Sequence, residues 1–334
     1  MAKVKAIVIG TGGMARAHIN AMIGMPRSTD IIGFVEPDDK SRERTTALFT
    51  DKRMACPPCF ATVKALVKAL GAPDAALVCS PHKFHFENAR DCLNAGTDVL
   101  IEKPMVMNAS EARRLIALRD KTERLLMVAF QGSLSPAIWK AKQLLARGTI
   151  GDVSSISAFA QQQWKSATVG TWRQIPDVSG GGFLFDTGSH MINTIVDLMQ
   201  SDVARVSALF DNRGTPVEIN SSVSGTSASG ITFTIAGAGD SVQCASQIMV
   251  FGDKGVIKTG IWGESLMIKM ANDADFSDVP YRKSQGPWEQ FLRVRDGKME
   301  NPCPPEAGLR FAKLMDMIRK SAETGQTVAS RSRR

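Results

Sequence analysis

Three residues carry side chains that suit proton transfer to or from a hydroxyl group: Lys103, Asp186 and His190. Asp186 and His190 are four residues apart, so a helix would place the carboxylate and the imidazole on one face. A carboxylate beside an imidazole fixes the tautomer of the ring and supports its action as a base. The same spacing also arises by chance, and a structural histidine is the alternative for this pair taken alone.

Lys103 lies between a short apolar run and Pro104. A single lysine is usually a solvated surface charge. Proline, however, restricts the preceding residue to an extended conformation, and this lysine follows a predicted buried strand. We therefore expect its ammonium group to lie over a ligand crevice, as an acid or as an orienting donor.

The start of the chain fits the pattern G-x-G-x-x-A between a strand and a helix, which predicts a turn that binds a dinucleotide. Gly10 permits the tight turn, Gly12 lets the backbone approach a diphosphate, and Ala15 keeps the helix close to the strand. The first helical turn, with Gly13 and Met14, offers unpaired N–H groups to an anion. A turn without a ligand is the alternative.

Glu36 ends the second predicted strand and favours NAD over NADP. Its carboxylate can accept both ribose hydroxyls of the adenosine and would repel a 2′-phosphate. Arg42 and Arg44 follow soon after and favour the phosphate, so NADP stays the less favoured alternative.

Other strand ends supply further candidates, because the carboxyl ends of strands in a doubly wound sheet face the ligand crevice. Ser80, Pro81 and His82 follow one predicted strand, and Glu102 with Lys103 follows the next. We expect these residues to border the cofactor. For nearby His85, a structural role at a helix start is expected.

The first 130 residues alternate short apolar runs with longer amphipathic stretches. This pattern is typical of parallel strands buried on both faces and predicts an α/β domain, a doubly wound Rossmann sheet, over 1–130. The predicted strands are Val4–Ile9, Ile31–Val35, Ala75–Cys79, Val99–Ile101 and Leu125–Ala129. The predicted helices are Met14–Met25, Asp38–Thr50, Thr62–Leu70, Phe84–Asn94 and Ala109–Arg124.

The pattern changes after Phe130, and residues 131–334 predict an α+β domain built on an open, mostly antiparallel sheet. The stretch from Val203 to about Lys269 is rich in Ser, Thr, Val and Ile and predicts several long strands. The other predicted elements are helices over Pro136–Arg147, His190–Met199 and Pro305–Thr324 and a strand over Val153–Gln162.

Several motifs follow one another in a recognisable order. They are the G-x-G-x-x-A start, Glu102-Lys103-Pro104, Trp172-Arg173, Gly180-Gly181-Gly182, Asp186-x-x-x-His190, Phe251-Gly252-Asp253-Lys254-Gly255 and Ser321-Ala322-Glu323-Thr324-Gly325. The set resembles the glucose–fructose oxidoreductase / inositol dehydrogenase (Gfo/Idh/MocA) family over nearly the whole chain.

The resemblance implies hydride transfer between nicotinamide and a secondary alcohol carbon of a sugar, cyclitol or related polyol. Matched residue by residue, Lys103 would contact substrate and cofactor, Asp186 would orient the reacting hydroxyl, and His190 would take its proton. The resemblance also implies a homodimer or homotetramer formed through the C-terminal sheet.

The chain departs from the family pattern at Gly132, Ser133 and Asn193. Many members carry basic residues at the first two positions and Asp at the third, so these changes bear on the substrate and on catalytic competence. Asn193 and Trp172 are candidate substrate contacts, and Arg173 is the best polar candidate.

Composition and charge exclude several classes of protein. The chain has 334 residues, of which 43% are apolar and 22% charged, as in ordinary globular proteins. The net charge of +8 is spread over scattered basic residues, including Arg331, Arg333 and Arg334, so no nucleic-acid partner is expected. No apolar run is long enough for a bilayer, and the start lacks a signal-peptide core. The single tyrosine, Tyr281, is not in the Tyr-x-x-x-Lys pattern of short-chain dehydrogenases.

The cysteines indicate a reducing compartment. Six cysteines without a secretory signal predict no disulfide framework, so the cytoplasm is the expected location. Cys56 and Cys59 form an isolated C-x-x-C, interpreted as loop and strand. No metal site is predicted, because no other His or Cys cluster accompanies Asp186 and His190.

Two other functions stay open. An enzyme that holds NAD tightly can oxidise its substrate transiently, during glycoside cleavage or epimerisation. An NAD-binding sensor without turnover is the second alternative, and the intact set of Lys103, Asp186 and His190 argues against it.

Overall fold

The computed structural model describes residues 3–330, so the basic residues Arg331, Arg333 and Arg334 lie outside the described part of the chain. Contacts divide the chain into two compact units. The first contains the residues up to Ala129 together with Gly286–Gly308, and the second contains Phe130–Gln285 and the residues from Leu309 onward.

The first unit is built on a six-stranded parallel sheet, which confirms the predicted doubly wound fold. Its strands are β1 (Val4–Ile9), β2 (Thr29–Val35), β3 (Cys59–Phe60), β4 (Ala75–Val78), β5 (Asp98–Ile101) and β6 (Leu126–Val128). The spatial order is β3-β2-β1-β4-β5-β6. The order reverses between β1 and β4, where doubly wound sheets bind ligands at the carboxyl ends of their strands. Strand β3 has two residues and was too short to give a recognisable apolar run.

The helices of this sheet are α1 (Gly13–Ile23), α2 (Asp39–Asp51), α3 (Val63–Leu70), α4 (His85–Asn94) and α5 (Ala109–Thr122). Side chains cap three of them: Asp38 accepts from Ser41 N, Thr62 from Ala65 N and Asn108 from Glu111 N. Helix α1 begins after Gly12 with no side-chain cap. No capping side chain therefore accepts from its first N–H groups, in contrast to those of α2, α3 and α5.

The segment Gly286–Gly308, which contains α11 (Pro287–Arg295), packs within the first unit. The buried indole of Trp288 donates to Thr29 Oγ1 at 2.9 Å, and Val128 N donates to the carbonyl oxygen of Cys303 at 2.9 Å. The predicted division into 1–130 and 131–334 assigned this segment to the second domain. The packing of this segment in the first unit depends on contacts between residues far apart in sequence, and local sequence patterns do not predict such contacts.

The second unit is built on a nine-stranded sheet in the order β14-β13-β12-β11-β7-β10-β9-β8-β15. Among the described strands of this second sheet, only β7 and β10 pair in parallel, which confirms a mostly antiparallel sheet. The strands are β7 (Val153–Gln161), β8 (Val203–Asp211), β9 (Asn220–Ser227), β10 (Thr232–Ala238), β11 (Ala245–Gly252), β12 (Gly255–Thr259), β13 (Leu266–Met270), β14 (Ser277–Asp278) and β15 (Val328–Ala329).

Side chains alternate between the two faces of this sheet, as the pleat requires. Ile156 and Ala158 of β7 are buried with Phe233 and Ile235 of β10, whereas Ser157, between them, is exposed. The remaining helices are α6 (Pro136–Ala146), α7 (Trp164–Ala167), α8 (Pro176–Ser179), α9 (Phe183–Asp186), α10 (Gly188–Met199) and α12 (Pro305–Thr324). Among residues 3–330, no helix combines the length and the apolar character needed to cross a bilayer.

Candidate active site

The glycine turn after β1 is shaped by two different demands. Gly10 has φ +79°, and a Cβ there would lie 2.6 Å from the backbone nitrogen of Ser80, so both the conformation and the close approach require glycine. A Cβ on Gly12 would meet nothing within 4 Å. The packing of the fold therefore requires glycine at position 10, whereas the space next to Gly12 is not filled by the protein.

The beginning of α1 suits a diphosphate. The helix has neither a side-chain cap nor an acidic residue in its first turn, so its N–H groups and partial positive charge face no competing anion of that helix. Arg16 donates to the carbonyl oxygen of Thr11 at 2.7 Å and steadies the turn. Ala15 is fully buried against the sheet, while Met14 is exposed. The residues present fit a bound dinucleotide.

Glu36 links the end of β2 to this turn. Its Oε2 accepts from Thr11 N at 2.7 Å and from Thr11 Oγ1 at 3.2 Å, and its Oε1 accepts from Asp38 N at 3.0 Å. A carboxylate offers about four acceptor positions, so these three bonds leave capacity for a ligand hydroxyl. Glu36 thus holds the turn from the side on which the sequence predicts the adenosine.

The side chain of Arg42, which the sequence analysis took as favouring NADP, makes its hydrogen bonds to groups within the protein. Its guanidinium donates to the carbonyl oxygens of Glu36 at 3.1 Å and Pro37 at 3.0 Å, and it forms an ion pair with Asp39. These partners occupy donors that a 2′-phosphate would need. Arg44 is exposed on α2.

The residues after β4 and β5 are joined by one buried histidine. His85 has its two ring nitrogens 2.7 Å from the carbonyl oxygen of Ser80 and 2.8 Å from that of Pro104. Burial lowers the pKa of His85. The residue has the expected place at the start of α4 and holds two strand ends at a fixed spacing.

Ser80 and His82 are buried, and Pro81 and Glu102 are half-buried. Lys103 follows Glu102 at the end of β5, and its backbone N–H donates to Glu102 Oε2 at 3.0 Å. His18 on α1 contacts Glu102 Oε1 through Nε2 at 2.7 Å. Sequence reasoning missed this pair, because no local pattern links the second turn of α1 to the end of β5.

In the second unit, Asp186 is held by two donors. Its Oδ2 accepts from Trp164 Nε1 and from Arg173 Nε, both at 3.0 Å. The Arg173 guanidinium also lies 4.5 Å from the centre of the Trp172 ring. The structure thus brings together Trp172, Arg173 and Asp186, which the sequence singled out separately, and adds Trp164.

His190 lies in the first turns of α10. Thr187, between α9 and α10, has helical angles (φ −72°, ψ −43°), so the backbone from Asp186 to His190 has the helical course that their spacing requires. The His190 ring packs edge-on against Phe130 and Trp262, with ring centres 6.3 and 6.2 Å away. The contacts with these two aromatic rings therefore fix the position of the imidazole.

The glycine run before Asp186 permits a close backbone crossing. A Cβ on Gly182 would lie 1.9 Å from the carbonyl oxygen of Glu218. The Glu218 carboxylate accepts from Gly182 N at 2.6 Å and from Phe185 N at 3.2 Å, and burial raises its pKa. Glu218 therefore caps the short helix that carries Asp186, a role that sequence reasoning missed.

The residues that depart from the family pattern form one buried network. Ser133 Oγ donates to Asp197 at 2.6 Å and accepts from Asn193 Nδ2 at 2.7 Å, and Arg310 pairs with Asp197. A Cβ on Gly132 would lie 2.1 Å from Thr194 Oγ1. Asn193 is 1% exposed and bonded within the protein, which does not support the predicted substrate contact.

Comparison with known families decides the identity of the fold. A family described as oxidoreductases with an NAD-binding Rossmann fold matches residues 4–130, and the GFO/IDH/MocA C-terminal domain matches residues 138–258. The chain belongs to the GFO/IDH/MocA oxidoreductase family. The resemblance stated from its motifs is thereby confirmed, and its first unit is an NAD-binding domain.

Individual relatives of this GFO/IDH/MocA chain are distant. Oxidoreductase P35 of Formosa agariphila is 23% identical over 252 residues, which cover 73% of this chain and 78% of the relative. Glucose-6-phosphate 3-dehydrogenase of Bacillus subtilis is 28% identical over 200 residues, covering 58% of this chain and 53% of that relative. Levoglucosan dehydrogenase, solved with NADH and levoglucosan, has a similar fold: the TM-score is 0.83 at 19% identity, over 98% of this chain and 99% of that one.

We expect Gly182→Ala to destabilise this family member far more than Gly170→Ala. The Gly182 methyl group would overlap a backbone oxygen, and such overpacking costs about 3 kcal/mol or more. Gly170 has φ +72° with nothing within 4 Å, so alanine there costs only about 1 kcal/mol of conformational strain. Urea unfolding measures both, and equal losses in the two variants would contradict the close crossing with Glu218.

Proposed function

We propose that the protein is an NAD-dependent dehydrogenase of a secondary alcohol in a sugar, cyclitol or related polyol. The observation that carries this proposal is the helical backbone that joins Asp186 to His190. The side chains of Trp164 and Arg173 hold the Asp186 carboxylate by hydrogen bonds. Membership of an oxidoreductase family and the names of two similar proteins, a glucose-6-phosphate and a levoglucosan dehydrogenase, support the substrate class.

In the proposed reaction, each residue has one task. His190 accepts the single proton of the reacting hydroxyl, and Asp186 orients the substrate so that this hydroxyl faces the imidazole. For Lys103 we propose the role that the family resemblance implies, contact with substrate and cofactor through its ammonium group. When bound, NAD supplies the nicotinamide that accepts the hydride. Arg173 and Trp164 keep Asp186 from rotating, because both donors act on its Oδ2.

The preference for NAD is assigned to Glu36 together with Arg42. The carboxylate of Glu36 is fixed by Thr11 and Asp38 at the end of β2, where it repels a 2′-phosphate. Arg42 donates hydrogen bonds to the carbonyl oxygens of Glu36 and Pro37, so these donors are not available to a 2′-phosphate. Ser80, Pro81, His82 and Glu102 are proposed to border the remainder of the cofactor.

We expect His190→Asn to lower kcat/KM on a responsive polyol by roughly 10²- to 10⁴-fold, because the base is lost. The Kd for NAD should change less than about twofold, since His190 belongs to the second unit and the glycine turn to the first. Turnover of a polyol panel is followed at the NADH absorbance, and NAD binding by calorimetry.

Three outcomes of this experiment would count against the proposal. Unchanged turnover in His190→Asn would remove His190 from the reaction, and lost NAD binding would place it at the cofactor instead. Substrate consumption by the wild-type chain without net NADH release would favour transient oxidation over a dehydrogenase.

We further propose a homo-oligomer formed through the open face of the nine-stranded sheet. The exposed positions of its central strands β7, β9 and β10 carry no charge; they are Ser154, Ser157, Phe159, Ser222, Ser224, Thr232, Thr234 and Ala236. Leu209 on β8 adds an apolar side chain that is 71% exposed. A second copy of the same face is the partner that fits these uncharged central strands, and the exposed charged residues Arg205 and Asp211 lie beside them on β8.

Leu209→Arg should reduce the oligomeric state measured by light scattering after gel filtration. The substitution brings a positive charge onto each copy of the proposed contact, where like charges repel. Val242→Arg is the matched control, because Val242 is 96% exposed but lies in the turn between β10 and β11. A wild-type monomer, or equal effects of the two variants, would overturn the proposed interface.

A cytoplasmic location is proposed from the state of the cysteines. All six are free thiols. Cys56 accepts a hydrogen bond from Thr46 Oγ1 at 3.8 Å, and Cys59 donates to the carbonyl oxygen of Glu36 at 3.7 Å. Free thiols of this kind are usual in a reducing compartment.

A further inference from the structure

Three potential metal ligands meet inside the first unit, at the carboxyl edge of its sheet. They are His18 from α1, Cys79 directly after β4 and Glu102 directly after β5. One ligand atom of each residue lies within 4.8 Å of the other two. His18 is buried, and Cys79 and Glu102 are half-buried, so the group lies mostly below the surface.

We propose that His18, Cys79 and Glu102 bind one thiophilic divalent cation of the Zn²⁺ type. Imidazole, thiolate and carboxylate are the ligands that zinc uses in proteins, and the mixture of sulfur and nitrogen disfavours Mg²⁺ and Ca²⁺. Sequence analysis did not predict this site, because its members lie on three elements far apart along the chain.

Charge balance favours a doubly charged ion. One thiolate, one carboxylate and one neutral imidazole carry two negative charges, so the complex is neutral, as burial requires. The thiol of Cys79 releases its proton to the solvent when the metal–sulfur bond forms. Three protein ligands leave one tetrahedral position for water, which is the pattern of an open site.

The surrounding structure fixes these ligands. The Cys79 N–H donates to the carbonyl oxygen of Ile9 at 2.7 Å, and Gly10 packs directly against the Cys79 backbone. Glu102 Oε2 accepts from Lys103 N at 3.0 Å, so Oε1 can bind the ion while Oε2 keeps its partner. Such hydrogen bonds to a ligating carboxylate orient it for the metal.

The three ligand side chains need only a small rearrangement to bind a tetrahedral metal ion. In tetrahedral zinc sites with bonds of about 2.0–2.3 Å, ligand atoms lie roughly 3.3–3.6 Å apart. His18 Nε2 and Glu102 Oε1 are 2.7 Å apart and must separate slightly, while the thiol moves within a range already below 4.8 Å. The ion thus replaces the hydrogen bond between His18 and Glu102.

The test is a titration of the full-length, chelator-treated chain with Co²⁺, which reports thiolate binding through a near-ultraviolet charge-transfer band. We expect one Co²⁺ per chain by native mass spectrometry, displacement by Zn²⁺, and the band. Cys79→Ser should abolish the band, and Glu102→Gln should weaken Co²⁺ binding by at least about tenfold. Circular dichroism shows that each variant is folded.

The matched control is the double variant Cys56→Ser and Cys59→Ser, which removes the C-x-x-C pair and should keep both band and stoichiometry. A band that survives Cys79→Ser, or that disappears in the double control variant, would overturn the proposal. Absence of Co²⁺ binding to the wild-type chain would overturn it as well. None of these readouts depends on NAD or on turnover, so the result is separate from that of the dehydrogenase proposal.

Discussion

The close approach of two main-chain segments is the constraint on which the candidate site depends. In the first unit, Gly10 presses against the backbone at Ser80, where β1 and β4 lie side by side. In the second unit, Gly182 presses against the backbone of Glu218. A side chain at either glycine would force strands or helices apart, and the functional groups that follow each glycine would move with them.

A buried carboxylate secures each of these crossings. Glu36 accepts the N–H of Thr11 in the first unit, and Glu218 accepts the N–H groups of Gly182 and Phe185 in the second. Charge-assisted hydrogen bonds to backbone donors are among the stronger ones in proteins. The two glycine segments are thus held in the same way. One precedes the helix proposed to bind the diphosphate, and the other precedes the helix that carries Asp186.

The sequence was informative wherever the pattern is local. Apolar runs of three to six residues located the main parallel strands, and the spacing of Asp186 and His190 predicted the helical course between them. Trp288 of α11, the partners His18 and Glu102, and the cap from Glu218 were not foreseen. Each depends on a contact between distant stretches of chain, and neither composition nor periodicity records which distant residue closes such a contact.

Gly12 offers the most direct test of the account, because the fold leaves its surroundings empty while the proposed diphosphate requires that space. The measurement is the Kd for NAD of Gly12→Ala by calorimetry, with thermal unfolding of the ligand-free protein alongside. The account predicts an unfolding midpoint close to that of the wild type and NAD binding weaker by at least about tenfold, or about 1.4 kcal/mol. Unchanged NAD affinity in the folded variant would contradict the account.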